Sequence, residues 1–279
     1  MNAARLWDKP APAAPALALV PVASPPHVTR HAGKAIRNAR PELGELVAAV
    51  GQGFRNLWLT GPAGSGKTTL AQTLAEALAQ PFGFQSFAAD SSAGSLIGSA
   101  DAHGVYRETA FIEAYESGGV YLLDEIDAAP AEILVAVNAA LANGHLALPR
   151  HNDPARRMIT RHPQTVIIAA ANTYGTGPTA QYVGRSQIDA ATLDRFVGAI
   201  FTIGYDEALE RRLCTDADVL EVIHNARRAI DAAGLRRILS TRAVIAAARM
   251  NAAGLEIPAI LDRLTVGWTS EEKRKAGVA

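Results

Sequence analysis

The residues with the clearest chemistry are Gly61-Pro62-Ala63-Gly64-Ser65-Gly66-Lys67-Thr68, which fit the spacing G-x-x-x-x-G-K-[ST], with Thr69 following. Gly61, Gly64 and Gly66 let the backbone wrap closely round an anion with its N–H groups turned inward. Lys67 offers a cation to β- and γ-phosphates, and the Thr68 hydroxyl offers a ligand to Mg²⁺. The chemistry implied is capture of a triphosphate. Roughly 60 residues further on, the apolar run Val120-Tyr121-Leu122-Leu123 ends in Asp124-Glu125. Adjacent carboxylates at the end of a buried strand are costly unless a cation or a water engages them. Asp124 is expected to hold Mg²⁺ through water, and Glu125 to polarise the attacking water. Asp127, close by, is expected to face solvent or a neighbouring subunit. Asn172 ends a further apolar run. Its amide reaches the γ-phosphate or the attacking water if that run lies beside the phosphate-loop strand.

These residues need elements to position them. Asn56–Thr60 reads as a short strand entering the glycine-rich turn, and 67–80, rich in Ala and Leu without Gly or Pro, as the helix leaving it. Helix N-terminal donors then face the phosphates. Further strands are expected at 84–88, 119–123, 165–170 and 197–203, with a helix opening at Pro130 and stopping at Gly144. Strands separated by helices imply an α/β fold, a parallel sheet with helices on both faces in three αβα layers. After Gly204 the strand signal stops. Helices are expected at 207–213 and 219–233, from a cap at Ser240 or Thr241 to Ala253, and a last one from Pro258. The organisation expected is an Ala/Pro-rich disordered arm over 1–30, an α/β nucleotide-binding domain over 31–204 and an all-helical domain over 205–279.

Composition narrows the partners. Lys+Arg and Asp+Glu are 27 each, so no global field draws the chain onto nucleic acid or an anionic membrane. No apolar run approaches the roughly 20 residues of a spanning helix, and no membrane role is expected. The apolar stretch 16–22 is broken by prolines and reads as linker rather than a targeting segment. One cysteine, Cys214, rules out an internal disulfide framework and fits a reduced, cytoplasmic setting.

With Gly61–Thr69, Tyr121–Pro130, Ala169–Gly177 and Leu193-Asp194-Arg195-Phe196 in this order, the sequence resembles the AAA+ ATPases. More narrowly it resembles their MoxR/dynein-related branch, with Ala171-Asn172-Thr173-Tyr174-Gly175, Tyr182-Val183-Gly184 and Asp194-Arg195-Phe196 most like the CobS-like and NorQ/CbbQ-type members. It lacks the Asn-Arg pair that many MoxR-type members carry after the paired acids. The resemblance implies a P-loop NTPase core with a helical lid, ATP and Mg²⁺ as ligands, and a ring homo-oligomer, a hexamer by expectation. It implies that Arg195 is the finger reaching a neighbour's nucleotide, with Arg185 a nearby competitor, and that Arg242 is a sensor on the lid. A finger supplied in trans is worth on the order of 10³–10⁵ in rate. The branch places a pore-directed loop within 91–119. A hairpin over 145–165 carries Arg150, Arg156, Arg157 and Arg161, a basic face for solvent, a neighbouring subunit, an acidic partner or nucleic acid. The activity implied is ATP-driven remodelling of a protein partner, often one bearing a von Willebrand A-type domain. Two other readings stand beside it: a DNA-directed motor or loader such as a virus encodes, and an assembly subunit that binds ATP without turnover.

Overall fold

The computed structural model describes residues 40–179 and 181–279, together with the short strands Arg30–His31 and Lys34–Ala35. The arm expected over 1–30 lies outside the described residues, save Arg30, which pairs with Ala35.

Five strands form one sheet in the order Ile200–Thr202, Asn56–Thr60, Val166–Ala171, Val120–Asp124 and Phe82–Ser86. Every pairing is parallel. The three central strands are almost wholly buried, which is why their sequences are continuous apolar runs. Alternate residues feed two cores. Leu57, Leu59, Val120, Leu122, Val166 and Ile168 pack with helices Pro41–Gly51 and Lys67–Ala77. Trp58, Tyr121, Leu123, Ile167 and Ala169 pack with helices Ala110–Ser117 and Ala131–Ala142 on the other face. The expected three-layer α/β architecture is therefore present.

Register sets up the site. Ala171 pairs with Thr60, and Ala169 with Leu123. Because the strands are parallel, the loops after Thr60, Asp124 and Ala171 leave the sheet at one edge, where ligands of open α/β sheets bind.

Two segments named from the sequence have structure of their own, and the second is the expected hairpin. Residues 91–119 are not one projecting loop. They hold helices Ala93–Ile97 and Ala110–Ser117 around a small antiparallel pair, Ser99–Ala100 with Tyr106–Arg107. Leu96, Phe111, Ile112 and Tyr115 are buried and anchor both helices, so only the turn at 101–105 stands clear of the core. In 145–165, His145–Ala147 pairs antiparallel with Met158–Thr160.

Beyond Gly204 the chain is helical: Glu207–Leu213, Ala217–Ala232, Thr241–Ala252, Ile257–Leu264 and Ser270–Lys275. Val219, Ile223, Ile230, Val244 and Ile260 form its separate core. The helix opening at Pro258 is thus not the last one. Ser270–Lys275 follows, held by a reciprocal capping box between Thr269 and Glu272. No described helix is long and apolar enough to cross a membrane.

Candidate functional site

The loop from Gly61 to Gly66 is shaped by contacts that only glycine permits. Gly61 and Gly64 have φ of 150° and 74°. A Cβ on Gly61 would sit 2.1 Å from the Ile203 carbonyl oxygen, and one on Gly64 2.7 Å from the Ser240 Cβ. The loop is therefore pressed between the sheet edge and the cap of the helix Thr241–Ala252. It opens the helix Lys67–Ala77, whose first intrahelical acceptor bond belongs to the Leu70 N–H (to Gly66 O, 2.8 Å). The N–H groups of Lys67, Thr68 and Thr69 thus have no intrahelical acceptor and form the positive end of the helix dipole. The buried Ser65 hydroxyl also has no partner among the described residues. Orphaned donors, a helix N-terminus and a lysine in one loop fit a phosphate chain.

Lys67 is 7% exposed. Its Nζ donates to the carbonyls of Gly61 (2.8 Å) and Pro62 (3.0 Å) and to Asn172 Oδ1 (2.8 Å). Burial lowers it to about 8, against the upward pull of Asp124, Asp127 and Glu125. Thr68 Oγ1 donates to Asp124 Oδ2 at 2.7 Å. A hydroxyl and a carboxylate side by side at the phosphate loop are the hard oxygen donors that Mg²⁺ takes. A cavity of about 610 Å³ is lined by Arg40, 63–69, Asp124, Glu125, Asn172 and Arg242, with Leu209, Leu213 and Ile245 from the helical segment. Gly61 and Pro62 do not line it; they stand behind it as acceptors for Lys67.

Glu125 adopts a left-handed backbone, φ 56° and ψ 37°, which costs a non-glycine residue about 1–2 kcal/mol. Its N–H donates to Asp124 Oδ1 at 3.0 Å, and its side chain is 45% exposed. Asp127 corrects the expectation of a solvent-facing acid, because it is fully buried. Its Oδ2 accepts from the Asn172 N–H (3.2 Å), the Thr173 N–H (3.0 Å) and the Thr173 hydroxyl (2.9 Å). Asp127 ties the acid-bearing strand end to the loop that carries Asn172. Arg185 Nη1 lies 3.3 Å from both Asp127 Oδ1 and Glu125 Oε2. This competitor for the finger role is bound within its own chain.

Arg195 stands apart. It is exposed, does not line the cavity of its own chain, and donates to Asn138 at 3.2 Å. Its neighbour Phe196 is buried edge-on against Trp58, 5.2 Å between ring centroids, and fixes Arg195 at the surface. Arg242 is exposed in the first turn of Thr241–Ala252 and faces the cavity.

Sequence reasoning missed three supports of the phosphate loop. Arg40 donates to the Ser65 and Gly204 carbonyls, the latter at 2.8 Å, and pairs with Glu42. The Tyr182 hydroxyl accepts from the Ala63 N–H at 2.9 Å, and the Tyr205 hydroxyl donates to the Ala63 carbonyl at 3.1 Å. Arg227 lies over the Tyr205 ring, 3.9 Å from its centroid, and bonds Glu210 in the helical domain. No local pattern announces these supports, since each contact to the loop spans at least 25 residues.

The basic hairpin is largely engaged internally. Arg156 pairs with Glu108 (2.6 Å) and with Glu116, and Arg157 donates to the His151 carbonyl. Arg161 donates to Asn56 and to the Arg55 and Thr165 carbonyls, and burial pulls it down to about 10.

A parallel sheet with a glycine-rich loop, a lysine and paired acids at its carboxyl edge defines a P-loop nucleotide-binding protein. The sequence matches the AAA domain (dynein-related subfamily) over residues 56–196, just over half of the 279, and the chain belongs to that family. It is 31% identical over 151 residues to an uncharacterized protein of Staphylococcus aureus (strain bovine RF122 / ET3-1), covering 51% of this chain and 54% of the relative. An uncharacterized protein of Staphylococcus saprophyticus is 30% identical with the same coverage. The chain thus spans about half the length of the curated relatives it matches. Among solved structures it is similar to NtrX from Brucella abortus, with a TM-score of 0.49 and 18% identity, over 84% of this chain and 55% of that one. For NtrX in complex with ATP the TM-score is 0.46 and the identity 17%, over 75% and 46%.

Proposed function

We propose that the chain hydrolyses ATP as a subunit of an AAA+ ring, a hexamer closest to the CobS-like and NorQ/CbbQ-type members, and uses the turnover to remodel a partner protein. The observation that carries this reading is the convergence of Lys67, Thr68, Asp124, Glu125 and Asn172 on one cavity while Arg195 faces away from it. Residues 63–69 bind the phosphates, with Gly61 and Pro62 holding Lys67 from behind and Lys67 neutralising the terminal groups. Asn172, bonded to Lys67 in the free protein, is placed to orient the γ-phosphate or the attacking water. Glu125 accepts the hydrogen bond that aligns that water, and Arg242 reads the nucleotide from the lid. Mg²⁺ held by Thr68 and Asp124 would offset charge on the phosphates. Arg195 completes the site of the next subunit, so a head-to-tail contact that closes into a ring makes activity depend on assembly.

Protein remodelling is favoured over a DNA-directed motor on charge. Residues 40–204 carry 15 Asp/Glu against 10 Lys/Arg, and the hairpin arginines are mostly paired within the chain. A partner with a von Willebrand A-type domain fits the branch resemblance. The test is steady-state ATP turnover with Mg²⁺ by wild type and Glu125→Gln. Wild type is expected to turn over and the variant to bind ATP with turnover at least about 100-fold lower, the range of general-base loss. Equal rates remove Glu125 from the reaction. Tight binding with no wild-type turnover in the assembled ring favours a non-hydrolysing assembly subunit.

A further inference from the structure

The segment from Gln181 to Gln187 touches three parts of the site. Tyr182 holds the phosphate loop at Ala63, Arg185 lies between Glu125 and Asp127, and the Ser186 N–H donates to the Asp127 carbonyl at 2.6 Å. A backbone bridge between Thr176 and Gln187 closes the base of the loop. Arg185 is therefore carried on a braced loop, with its side chain only 14% exposed.

Its two partners differ. Asp127 has no exposed surface and three further donors on its other oxygen, so it cannot follow a moving guanidinium. Glu125 has a fixed backbone, but among the described residues the bond from Arg185 is the only hydrogen bond its carboxylate makes. An otherwise free, half-exposed side chain samples several rotamers, and a catalytic carboxylate that wanders loses rate through orientation.

We propose that Arg185 is a positioning residue for Glu125: anchored on Asp127, it aims the Glu125 carboxylate across the rim of the phosphate site, and it does so within one subunit. Arg185 and Arg195 then have opposite logic. The first serves the site of its own chain, the second that of a neighbour. This inference rests on the ATPase reading above.

The test uses the full-length protein and the pair Asp127→Asn/Arg185→Gln, which removes both members of the ion pair and leaves no buried charge alone. The amide introduced by Asp127→Asn would still offer a carbonyl oxygen to the Thr173 N–H. The expected result is a kcat lower by roughly 10- to 100-fold with the KM for ATP within about threefold, at a melting temperature no lower than that of Asp127→Asn alone. Arg185→Lys, which keeps the charge but not the planar fork, should fall between. Co-expression separates a role within one subunit from a role in trans, while the kcat-against-KM split separates positioning from a structural role. Lys67→Ala subunits should rescue Arg195→Ala subunits but not the Asp127/Arg185 pair variant, because aim within a chain is not supplied by a neighbour.

An unchanged kcat in the pair variant overturns the proposal, leaving Arg185 as a counter-ion only. A raised kcat overturns it by making Arg185 a restraint. Parallel losses in kcat, KM and melting temperature in both variants overturn it as a folding effect. If the pair variant does not fold, Arg185→Lys decides alone: a kcat drop at constant KM supports the proposal and wild-type kcat refutes it. Absence of wild-type turnover instead strikes the ATPase reading, and this inference falls with it.

Discussion

Two carboxylates are wholly buried among the described residues, Asp127 in the α/β domain and Glu210 in the helical domain, and each is answered by an arginine and a threonine. Around Glu210 the circuit is closed. Arg227 donates at 2.9 and 3.1 Å, His224 lies at 2.7 Å and Thr241 at 2.6 Å. Burial pushes Glu210 up, but Arg227, Thr241 and His224 outweigh it and hold the carboxyl below its ordinary range. Around Asp127 the circuit is open. Its arginine is shared, at 3.3 Å, with the half-exposed Glu125, which lines the cavity. A fully satisfied buried network is rigid, whereas the Asp127 network reaches a side chain that is half exposed. The same chemistry is closed within one domain and, in the other, extends to a residue that lines the cavity.

That contrast can be broken in four ways. Glu210→Ala strands Arg227, His224 and Thr241, and should destabilise the helical domain by about 3–5 kcal/mol. Thermal melts followed by hydrogen exchange localised to residues 205–279 would show it; a loss spread over both domains contradicts the separation. Asp127→Asn keeps one acceptor and should cost less, about 1–3 kcal/mol, while lowering ATP turnover more than stability alone explains. Tyr205→Phe removes the bond to Ala63 but keeps the ring under Arg227, so about 1 kcal/mol or less is expected, read as a modest rise in the Kd for ATP. The smallest effect is in acid. Because the folded Glu210 carboxyl titrates below its unfolded value, its contribution is present at neutral pH and is lost as pH falls through the folded value. Glu210→Gln should flatten that acid limb of the stability profile, and an unaltered limb would assign it to other groups.

The sequence carries the site more legibly than its supports, for a physical reason. The phosphate loop is contiguous and its spacing is its geometry, so it and the strand Asn56–Thr60 lie where expected. Asn172 needs the strand order, which parallel pairing of Val166–Ala171 with Asn56–Thr60 supplies. Asp127 reads as solvated because it stands close to two other acids. The apolar neighbours Ile126 and Ala129, both buried, are the local signal against that, but Arg185 lies 58 residues away in sequence. The strand expected from Val197 starts only at Ile200, because Gly198, at φ 86°, turns the chain beneath the Phe54 ring. The helix Ser270–Lys275 has no apolar stripe, yet its Thr269-x-x-Glu272 box is readable.

The central claim is a nucleotide site completed by a neighbour's Arg195, and complementation tests it most directly. Lys67→Ala and Arg195→Ala, each expressed alone, should lack ATP turnover, the second by about 10³-fold or more. Co-expressed in one ring they should regain a measurable fraction of wild-type turnover, because the first can lend its arginine to the intact phosphate loop of the second. A mixed ring as inactive as its parents, or full activity in Arg195→Ala alone, would contradict the account.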